Sequence, residues 1–466
     1  MAVKDVNELL SSLSGIRVEN QEVSVVDESL LGKDADLLVD NIILSDSLDV
    51  KNACYWIVWE TARNVGIYPS SIQSFYEARG REDIKGFTVP AMNLRTFTYE
   101  MAKSVFKVAK KYNAGAFIFE IAKSEIGYTG QRPAEYVSKI LAAALKEGFR
   151  GCVFIQGDHF QIKAVNYLKT PDKEISQLKD LIKEALKAGF YNIDIDSSTL
   201  VDLSKETILE QQRLNFEVCG LFTKFIREIQ PEGIDVSVGG EIGEVGKKNS
   251  TPEELRAFMK GYLGYIGGAK RISKMSVQTG TSHGGVVLPD GSLAQVKIDF
   301  GTLQVLSEAA RKEFGLSGAV QHGASTLPPE AFHKFPEVET AEVHLATQFQ
   351  NIVYDHFPLP VKEKIYAWIK ENMRSEKKED NTEEQFIYKT RKKALGPFKK
   401  ELFSLPKDIK AKISEKLEEE FDFLFQQLKV EGTKELVDKY VSPVKIKRPL
   451  SDFGELKDLG RLEGAD

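Results

Sequence analysis

The chain has 466 residues, of which 42% are hydrophobic and 28% are charged, an ordinary composition for a globular protein with a large core. Its 63 basic and 69 acidic residues give a net charge of −6, which argues against general attraction to nucleic acid or to an anionic membrane. Three scattered cysteines, no signal-like N-terminus and no long apolar run lead us to expect a cytoplasmic protein without disulfides or a membrane span.

Residues 1–84 are predicted to form a helical extension that precedes the main domain. A helical pattern covers residues 50–65 and carries Trp56, Ile57 and Trp59. Such an aromatic stripe is more typical of packing against a neighbouring domain or a partner than of a ligand site.

Between residues 85 and 355, strand-like runs alternate with amphipathic helical runs. Eight such units predict parallel pairing, right-handed crossovers and an α/β fold of the (β/α)8 TIM barrel type. A doubly wound open sheet is the alternative, but no glycine-rich phosphate fingerprint follows the first strand. The predicted strands cover residues 87–93, 114–121, 152–156, 191–196, 235–239, 274–279, 319–322 and 341–345. The predicted helices cover residues 99–111, 134–146, 176–188, 205–229, 252–265, 303–314 and 329–334.

Residues 356–466 are predicted to form a C-terminal helical extension. Apolar residues recur at helical spacing within residues 408–428, at Ile413, Leu417, Phe421 and Leu424. Because the segment has no cysteine and no histidine beyond His356, we expect it to serve assembly into a homo-oligomer rather than chemistry.

Metal-binding residue types lie at the ends of four of the predicted strands. His159 follows the third strand, Glu241 the fifth and His283 the sixth, and His322 ends the seventh. In barrels of this kind the catalytic groups gather at the C-terminal ends of the strands. Any one of these histidines alone is better explained as a structural residue, whereas three imidazoles and a carboxylate together suit Zn²⁺ or another divalent metal. The sequence therefore predicts a metal site at the mouth of the barrel.

The order of these motifs resembles that of the class II, metal-dependent fructose- and tagatose-bisphosphate aldolases. The resemblance covers roughly residues 85–355 and lies in the type, order and strand number of five motifs. They are Asp158-His159, Glu241-Ile242-Gly243, His283-Gly284, His322-Gly323-Ala324-Ser325 and Val343-His344-Leu345-Ala346-Thr347. The first strand, which ends at Asn93, also resembles the opening of that family, and we expect Asn93 to contact the substrate.

The resemblance implies a role for each matched residue. His159, His283 and His322 would bind Zn²⁺. Glu241 would be a further ligand, and Asp196, at the end of the fourth strand, would be either an alternative metal ligand or a carboxylate that orients a ligand histidine. Asp158 would protonate the aldehyde oxygen, while the ion stabilises the enediolate of dihydroxyacetone phosphate. Backbone N–H groups would hold a phosphate at Gly284, Gly285, Gly323, Ala324, Ser325 and Thr347.

Three positions depart from the family pattern. His344 replaces an asparagine that helps to hold the enediolate, and it could donate a similar hydrogen bond or add a metal ligand. Glu244 is our candidate for the proton-abstracting base, because the segment after the fifth strand has no other acid before Glu253. No lysine follows His283-Gly284, where the family has one that binds phosphate, so the phosphate contacts must differ.

The implied function is reversible cleavage of a ketose 1,6-bisphosphate, with fructose 1,6-bisphosphate as the leading substrate, to dihydroxyacetone phosphate and glyceraldehyde 3-phosphate. Two alternatives remain open. Residues 126–136 resemble a segment of the accessory, non-catalytic subunit of tagatose-bisphosphate aldolase. The missing lysine also fits a metal-dependent aldolase or epimerase that acts on another sugar. The complete set of metal-ligand residues favours an enzyme.

Overall fold

A closed barrel of eight parallel strands forms the centre of the molecule. The computed structural model describes residues 2–243, 248–280, 288 and 297–454. The barrel strands are β1 (Val89–Asn93), β2 (Ile118–Ala122), β3 (Gly151–Gln161), β4 (Asn192–Asp196), β5 (Ser237–Glu241), β6 (Lys274–Val277), β7 (Ala319–Gln321) and β8 (Glu342–Leu345). Each strand pairs in parallel with the next, and β8 pairs with β1, which closes the sheet. The predicted (β/α)8 barrel is confirmed, and the open-sheet alternative is wrong.

Helices follow the strands and cover the outside of the barrel. They run over Thr98–Lys111, Lys123–Thr129, Pro133–Glu147, Ala164–Tyr167, Pro171–Ala188, Ile208–Gln211, Arg213–Ile229, Pro252–Ile266, Phe300–Phe314, Lys334–Glu337 and Thr347–His356. Short 3-10 turns occupy Ser198–Leu200, Ala324–Thr326 and Pro329–Ala331. The helix predicted over residues 205–229 is divided in two, because Gln212 ends a capped first turn and starts the longer helix.

The N-terminal segment is mainly helical but also contains strands that the sequence did not indicate. Its helices are Val6–Ser12, Leu31–Leu44, Leu48–Asn64 and Gln73–Gly80, with a 3-10 turn at Glu28–Leu30. Its strands are the hairpin Ile16–Glu19 and Glu22–Val25, and Ile67–Ser70. The last of these pairs in parallel with Gly151–Phe154, the first half of β3. The barrel strand β4 pairs only with the second half of β3, so the added strand lies beside β3 where β4 does not reach.

The C-terminal segment packs back onto the barrel. It contains helices Leu359–Asn372, Glu383–Thr390, Lys399–Phe403, Lys407–Gln427 and Thr433–Tyr440, and 3-10 turns at Arg374–Glu376, Arg391–Leu395 and Leu450–Asp452. The apolar face predicted on residues 408–428 is fully buried at Ile413, Leu417, Phe421 and Leu424. Part of it packs on the barrel helix Thr98–Lys111. The helical prediction is thus confirmed, and the face is covered within one chain.

The aromatic stripe of the N-terminal segment also packs as predicted. The indole nitrogens of Trp56 and Trp59 donate hydrogen bonds of 3.0 Å to the carbonyls of Arg448 and Ile446. The two extensions therefore hold each other against the barrel. The described part of the chain contains no helix with the length and apolarity of a membrane span.

Candidate metal centre

A bulge in β3 carries Asp158 and His159 to the mouth of the barrel. The register of β3 with β4 shifts between Gly157 and Phe160, so one extra residue is accommodated there. His159 adopts a φ of 40°, in the left-handed region that non-glycine residues seldom occupy. Bulges and strained backbone are frequent beside functional sites, where they aim a side chain. β3 extends five residues beyond its predicted end, because Phe160 and Gln161 still pair with β4 after the bulge.

Three of the predicted metal ligands converge at this mouth. Ligand atoms of His159, Glu241 and His322 all lie within 4.8 Å of one another. The Nε2 atom of His159 is 2.7 Å from Nδ1 of His322, and its Nδ1 atom is 3.3 Å from a carboxylate oxygen of Glu241. The hydroxyl of Ser276 lies 3.1 Å from the other ring nitrogen of His322 and fixes its orientation. Two imidazoles and a carboxylate form a donor set that fits Zn²⁺ or a similar divalent ion.

Asp196 lies behind His159, as predicted for a residue that orients a ligand. One of its carboxylate oxygens is 3.2 Å from Nδ1 of His159, and the other accepts a 2.7 Å hydrogen bond from Ser198. Burial opposes ionisation of Asp196, but its hydrogen bond to His159 outweighs that effect and lowers its pKa. Burial likewise opposes the charged form of His159, yet the carboxylates of Asp158 and Glu241 raise the pKa of the imidazole well above its ordinary value. The surroundings of His159 therefore favour a cation, whether a proton or a metal ion.

His344 stacks on His322 and is surrounded by carboxylates. The two rings are 4.1 Å apart and nearly parallel. Nδ1 of His344 lies 3.1 Å from Glu120 and 3.3 Å from Asp158, and Nε2 lies 2.6 Å from Glu342. Because both ring nitrogens face carboxylate oxygens, the geometry favours a hydrogen-bond donor over a metal ligand. His344 also contacts Asp158, the predicted acid, directly.

Below His344, a buried polar layer crosses the barrel where apolar side chains usually fill the interior. The ammonium of Lys274 lies 2.9 Å from Asp194, 2.6 Å from Glu342 and 2.7 Å from Gln156. The amide of Gln156 in turn donates to Glu120 and Glu342 at 3.0 and 2.9 Å. The sequence reasoning missed this layer, although a signal was present. Each member is a polar residue inside a strand that must be buried on both faces.

The layer holds more carboxylates than cations, and its pKa values reflect this. Burial raises the pKa of Glu120 to about 7, although the nearby imidazole of His344 opposes the shift. Burial raises the pKa of Asp194 to about 6 in spite of Lys274. For Glu342 burial also opposes ionisation, but Lys274 and His344 outweigh it and lower the pKa. Glu342 is thus the ionised partner of Lys274, and Glu120 and Asp194 are the carboxyls that can hold protons near neutral pH.

A cavity of about 840 Å³ opens above these residues and joins the predicted metal and substrate residues. Its walls include the predicted residues Asn93, Asp158, His159, Asp196, Glu241, His322, Gly323, Ser325, His344 and Thr347. This volume is within the usual range for small-molecule sites. The structure therefore brings the described residues of the predicted site, except Ala324, together at one cavity.

Two of the residues predicted to contact phosphate have surroundings in the structure that differ from this prediction. Ala324 is fully buried beneath the cavity wall. The backbone N–H of Thr347 donates to the hydroxyl of Ser325 at 3.2 Å, so it is already engaged inside the protein. Gly323 has a φ of 71°, which suits the turn that begins the 3-10 helix Ala324–Thr326.

Cationic side chains line the cavity as well, and the sequence reasoning missed them. Arg95, Lys123 and Lys163 come from the barrel, whereas Lys389 and Lys392 come from the C-terminal extension together with Tyr388. The expectation that this extension serves assembly alone is therefore incomplete, because it forms part of the cavity wall. Four predicted residues, Glu244, His283, Gly284 and Gly285, lie outside the described residues.

Comparison with known proteins places this site in a family. The model of the class II fructose-bisphosphate aldolase family matches residues 81–411. The chain belongs to this family. The match starts near the predicted beginning of the barrel and continues past residue 355 into the C-terminal extension.

Individual relatives are distant. The D-tagatose-1,6-bisphosphate aldolase subunit GatZ of Escherichia coli strain SE11 is 25% identical over 174 residues, which cover 33% of this chain and 40% of the relative. GatZ of Escherichia coli strain K12 is 26% identical over 135 residues, or 28% of this chain and 31% of the relative. The chain thus aligns with less than half the length of these curated relatives.

Solved structures agree with the fold. The fructuronate-tagaturonate epimerase UxaE from Cohnella laeviribosi superposes with a TM-score of 0.55 at 13% identity, covering 90% of both chains. A probable tagatose 6 phosphate kinase from Sinorhizobium meliloti 1021 gives a TM-score of 0.50 at 16% identity, covering 78% of this chain and 96% of that one. At these identities the likeness is one of fold.

Proposed function

We propose that this protein is a metal-dependent aldolase that reversibly cleaves a ketose 1,6-bisphosphate. Fructose 1,6-bisphosphate is the leading substrate, and dihydroxyacetone phosphate and glyceraldehyde 3-phosphate are the products. The observation that carries the proposal is the convergence of His159, Glu241 and His322 at the C-terminal ends of three barrel strands. They face a cavity whose volume suits a small sugar phosphate.

The proposed cofactor is Zn²⁺. His159, His322 and Glu241 would hold the ion, and His283 would complete the ligand set. A bound divalent ion supplies a Lewis acid that polarises the ketose carbonyl. Asp196 would keep the ring of His159 in the orientation needed for binding, through their 3.2 Å contact.

Asp158 is the proposed acid–base group at the bond that breaks. In cleavage its carboxylate would take the proton from the C4 hydroxyl, as the C3–C4 bond breaks and the aldehyde forms. In condensation the same carboxyl would return the proton to the aldehyde oxygen. His344, 3.3 Å from Asp158, would stabilise the carboxylate.

The remaining proton transfer is assigned to Glu244. In condensation it would remove the proton from the carbon next to the carbonyl, and in cleavage it would return that proton. Gly284, Gly285, Gly323 and Ser325 are the proposed neighbours of the phosphate at C1, and Asn93 is a proposed substrate contact.

Turnover by the purified full chain tests the proposal. After loading with Zn²⁺, the chain is offered fructose 1,6-bisphosphate and tagatose 1,6-bisphosphate, and triose phosphate release is followed with a coupled assay. We expect release that a chelator abolishes and added Zn²⁺ restores. A chain that binds no divalent metal would refute the proposal.

The accessory-subunit alternative is favoured by the alignments with a tagatose-bisphosphate aldolase subunit. It predicts that the purified chain alone cleaves neither bisphosphate, even when metal is bound. The epimerase alternative draws on the lack of a lysine after His283-Gly284. It predicts conversion of one ketose into another without triose phosphate, which chromatography of the reaction mixture would detect.

A further inference from the structure

The cavity lining carries charges of both signs. The metal-ligand candidates and their carboxylates lie on β3, β4, β5 and β7. Arg95, which follows β1, and Lys389 and Lys392 from the C-terminal extension are positively charged. We call these three residues the cationic wall. A substrate that places its carbonyl at the metal ligands would have its far end free to reach this wall.

Two members of the wall, Lys389 and Lys392, form no ion pair with a described carboxylate, and Lys392 is the less exposed of the two. Arg95 forms a 2.8 Å ion pair with Glu125, and its guanidinium also donates to Gln350. For Lys392, no carboxylate of the described residues lies within ion-pair distance. The next residue, Lys393, by contrast binds Glu376 at 2.5 Å.

Lys392 is also partly buried, in a setting that disfavours an isolated charge. Burial lowers the pKa of its ammonium, and the positive charge of Arg95 lowers it further, although Glu125 opposes both. A bound anion between Lys392 and Arg95 would reverse this effect, because each cation gains a nearby negative charge. Lys163 also faces the cavity, but its side chain is exposed to solvent.

The backbone that carries Lys392 is held firmly in place. The guanidinium of Arg391 lies over the rings of Tyr354 and Tyr388, 4.5 and 4.3 Å from their centres. It donates a 2.6 Å hydrogen bond to Asn351, and the hydroxyl of Tyr354 donates to the Arg391 carbonyl at 2.7 Å. These contacts fix the position of the 3-10 helix Arg391–Leu395 before a ligand binds, which reduces the entropy lost on binding.

We propose that Lys392, with Arg95 beside it, binds an anionic group at the end of the substrate that lies away from the metal. The group is a phosphate or a carboxylate, since both are anions that accept hydrogen bonds from an ammonium. The inference rests on the proposed function, which places the reacting carbons at the metal side. It gives the C-terminal extension a direct role in selecting substrates by charge.

Calorimetric binding to the full-length, Zn²⁺-loaded chain tests this. The probes are fructose 1,6-bisphosphate, fructose 1-phosphate and fructuronate, and the variants are Lys392→Met and Lys392→Arg. Lys393→Met is the matched control, because it removes a neighbouring charge that points to Glu376. We expect Lys392→Met to weaken binding of the bisphosphate roughly 10- to 100-fold, the effect of losing one charge-assisted hydrogen bond. Fructose 1-phosphate should change less than about twofold, and Lys392→Arg should keep most of the preference.

The outcomes separate this inference from the proposed function. A loss that is equal for bisphosphate and monophosphate, or equal in Lys392→Met and Lys393→Met, would overturn the inference even if the chain is an aldolase. A larger loss of affinity in Lys163→Met would also overturn the inference, because the anion would then be bound mainly by the exposed Lys163. A third outcome is that the wild type binds fructuronate but no bisphosphate, and that Lys392→Met abolishes this binding. The anionic group bound by Lys392 would then be a carboxylate, so the inference would hold while the proposed aldolase function would fail. Binding of none of the three probes refutes it.

Discussion

Replacing Lys274 by methionine tests how the barrel interior is held together. Lys274 is 1% exposed, and its ammonium lies 2.9 Å from Asp194 and 2.6 Å from Glu342. Methionine has a similar length but no charge, so Lys274→Met leaves Asp194 and Glu342 without the ammonium, although His344 remains 2.6 Å from Glu342. Removing one partner of a buried ion pair costs about 3–5 kcal/mol, a large share of the about 5–15 kcal/mol that stabilises a typical domain.

The loss should depend on pH. Without Lys274 the pKa values of both carboxyls in the folded protein rise above their unfolded values. At low pH the two carboxyls are protonated in both the folded and the unfolded variant, so the variant keeps its stability. It loses stability as the pH rises through the pKa values that these carboxyls have in the folded protein. Asp194, whose pKa burial already raises to about 6, should take up a proton first. The destabilisation is therefore expected to be full at about pH 8 and at least about 1 kcal/mol smaller at about pH 5.5.

Urea unfolding followed by circular dichroism measures both effects. The double variant Lys274→Met/Glu342→Gln should recover part of the loss, because it removes one of the two carboxylates that lose the ammonium of Lys274. Lys312→Met is the matched control. It breaks an exposed ion pair with Glu308 and should change stability by less than about 0.5 kcal/mol. A loss below about 1 kcal/mol at both pH values in Lys274→Met would refute this account of the barrel interior.

Four further changes probe the proposed site. His159→Ala should remove most of the bound metal from a barrel that stays folded; metal analysis that finds normal content would contradict its role. Asp158→Asn should retain the metal and slow cleavage about 10²- to 10⁴-fold in steady-state assays, and a fall of less than about threefold would exclude it as the acid. Glu244→Gln should abolish exchange of labelled hydrogen from dihydroxyacetone phosphate, whereas near-normal exchange would show that the base lies elsewhere. Between about pH 4.5 and 7, the free energy of unfolding should fall less steeply in Glu120→Gln than in the wild type. Burial raises the pKa of Glu120 to about 7, so in this range the folded wild type holds a proton that the unfolded chain releases. An unchanged pH slope in urea unfolding would count against this.

The barrel and much of the candidate site could be predicted from the sequence, for a local reason. Strand-like runs and helical runs alternate along the chain, and parallel strands joined in this way bring their C-terminal ends to one mouth. Asp158, Glu241 and His322 each lie at the C-terminal end of a predicted strand, so their meeting follows from the topology alone. The bulge at His159 left this residue near the same end of the strand.

The polar layer inside the barrel depends on contacts between strands that are far apart in sequence. Lys274 meets Glu342, 68 residues away, and Gln156, 118 residues away. Periodicity indicates that each side chain points inward, but it does not indicate which charges share a level of the barrel. That depends on the stagger of the strands, which hydrogen-bond register sets only in the closed sheet.

The sequence by itself determined that eight strands form a barrel, that histidines and carboxylates gather at its mouth, and that both ends of the chain add helices. Only the tertiary structure decided what else faces the cavity. Lys392 lies beside Arg95 because Arg391 packs against Tyr354 and bonds to Asn351, and no local pattern records those contacts. Side-chain periodicity reports how one element divides its surface between core and solvent. The fit between two distant surfaces depends on the shape and charge of both, which exist only once each has folded.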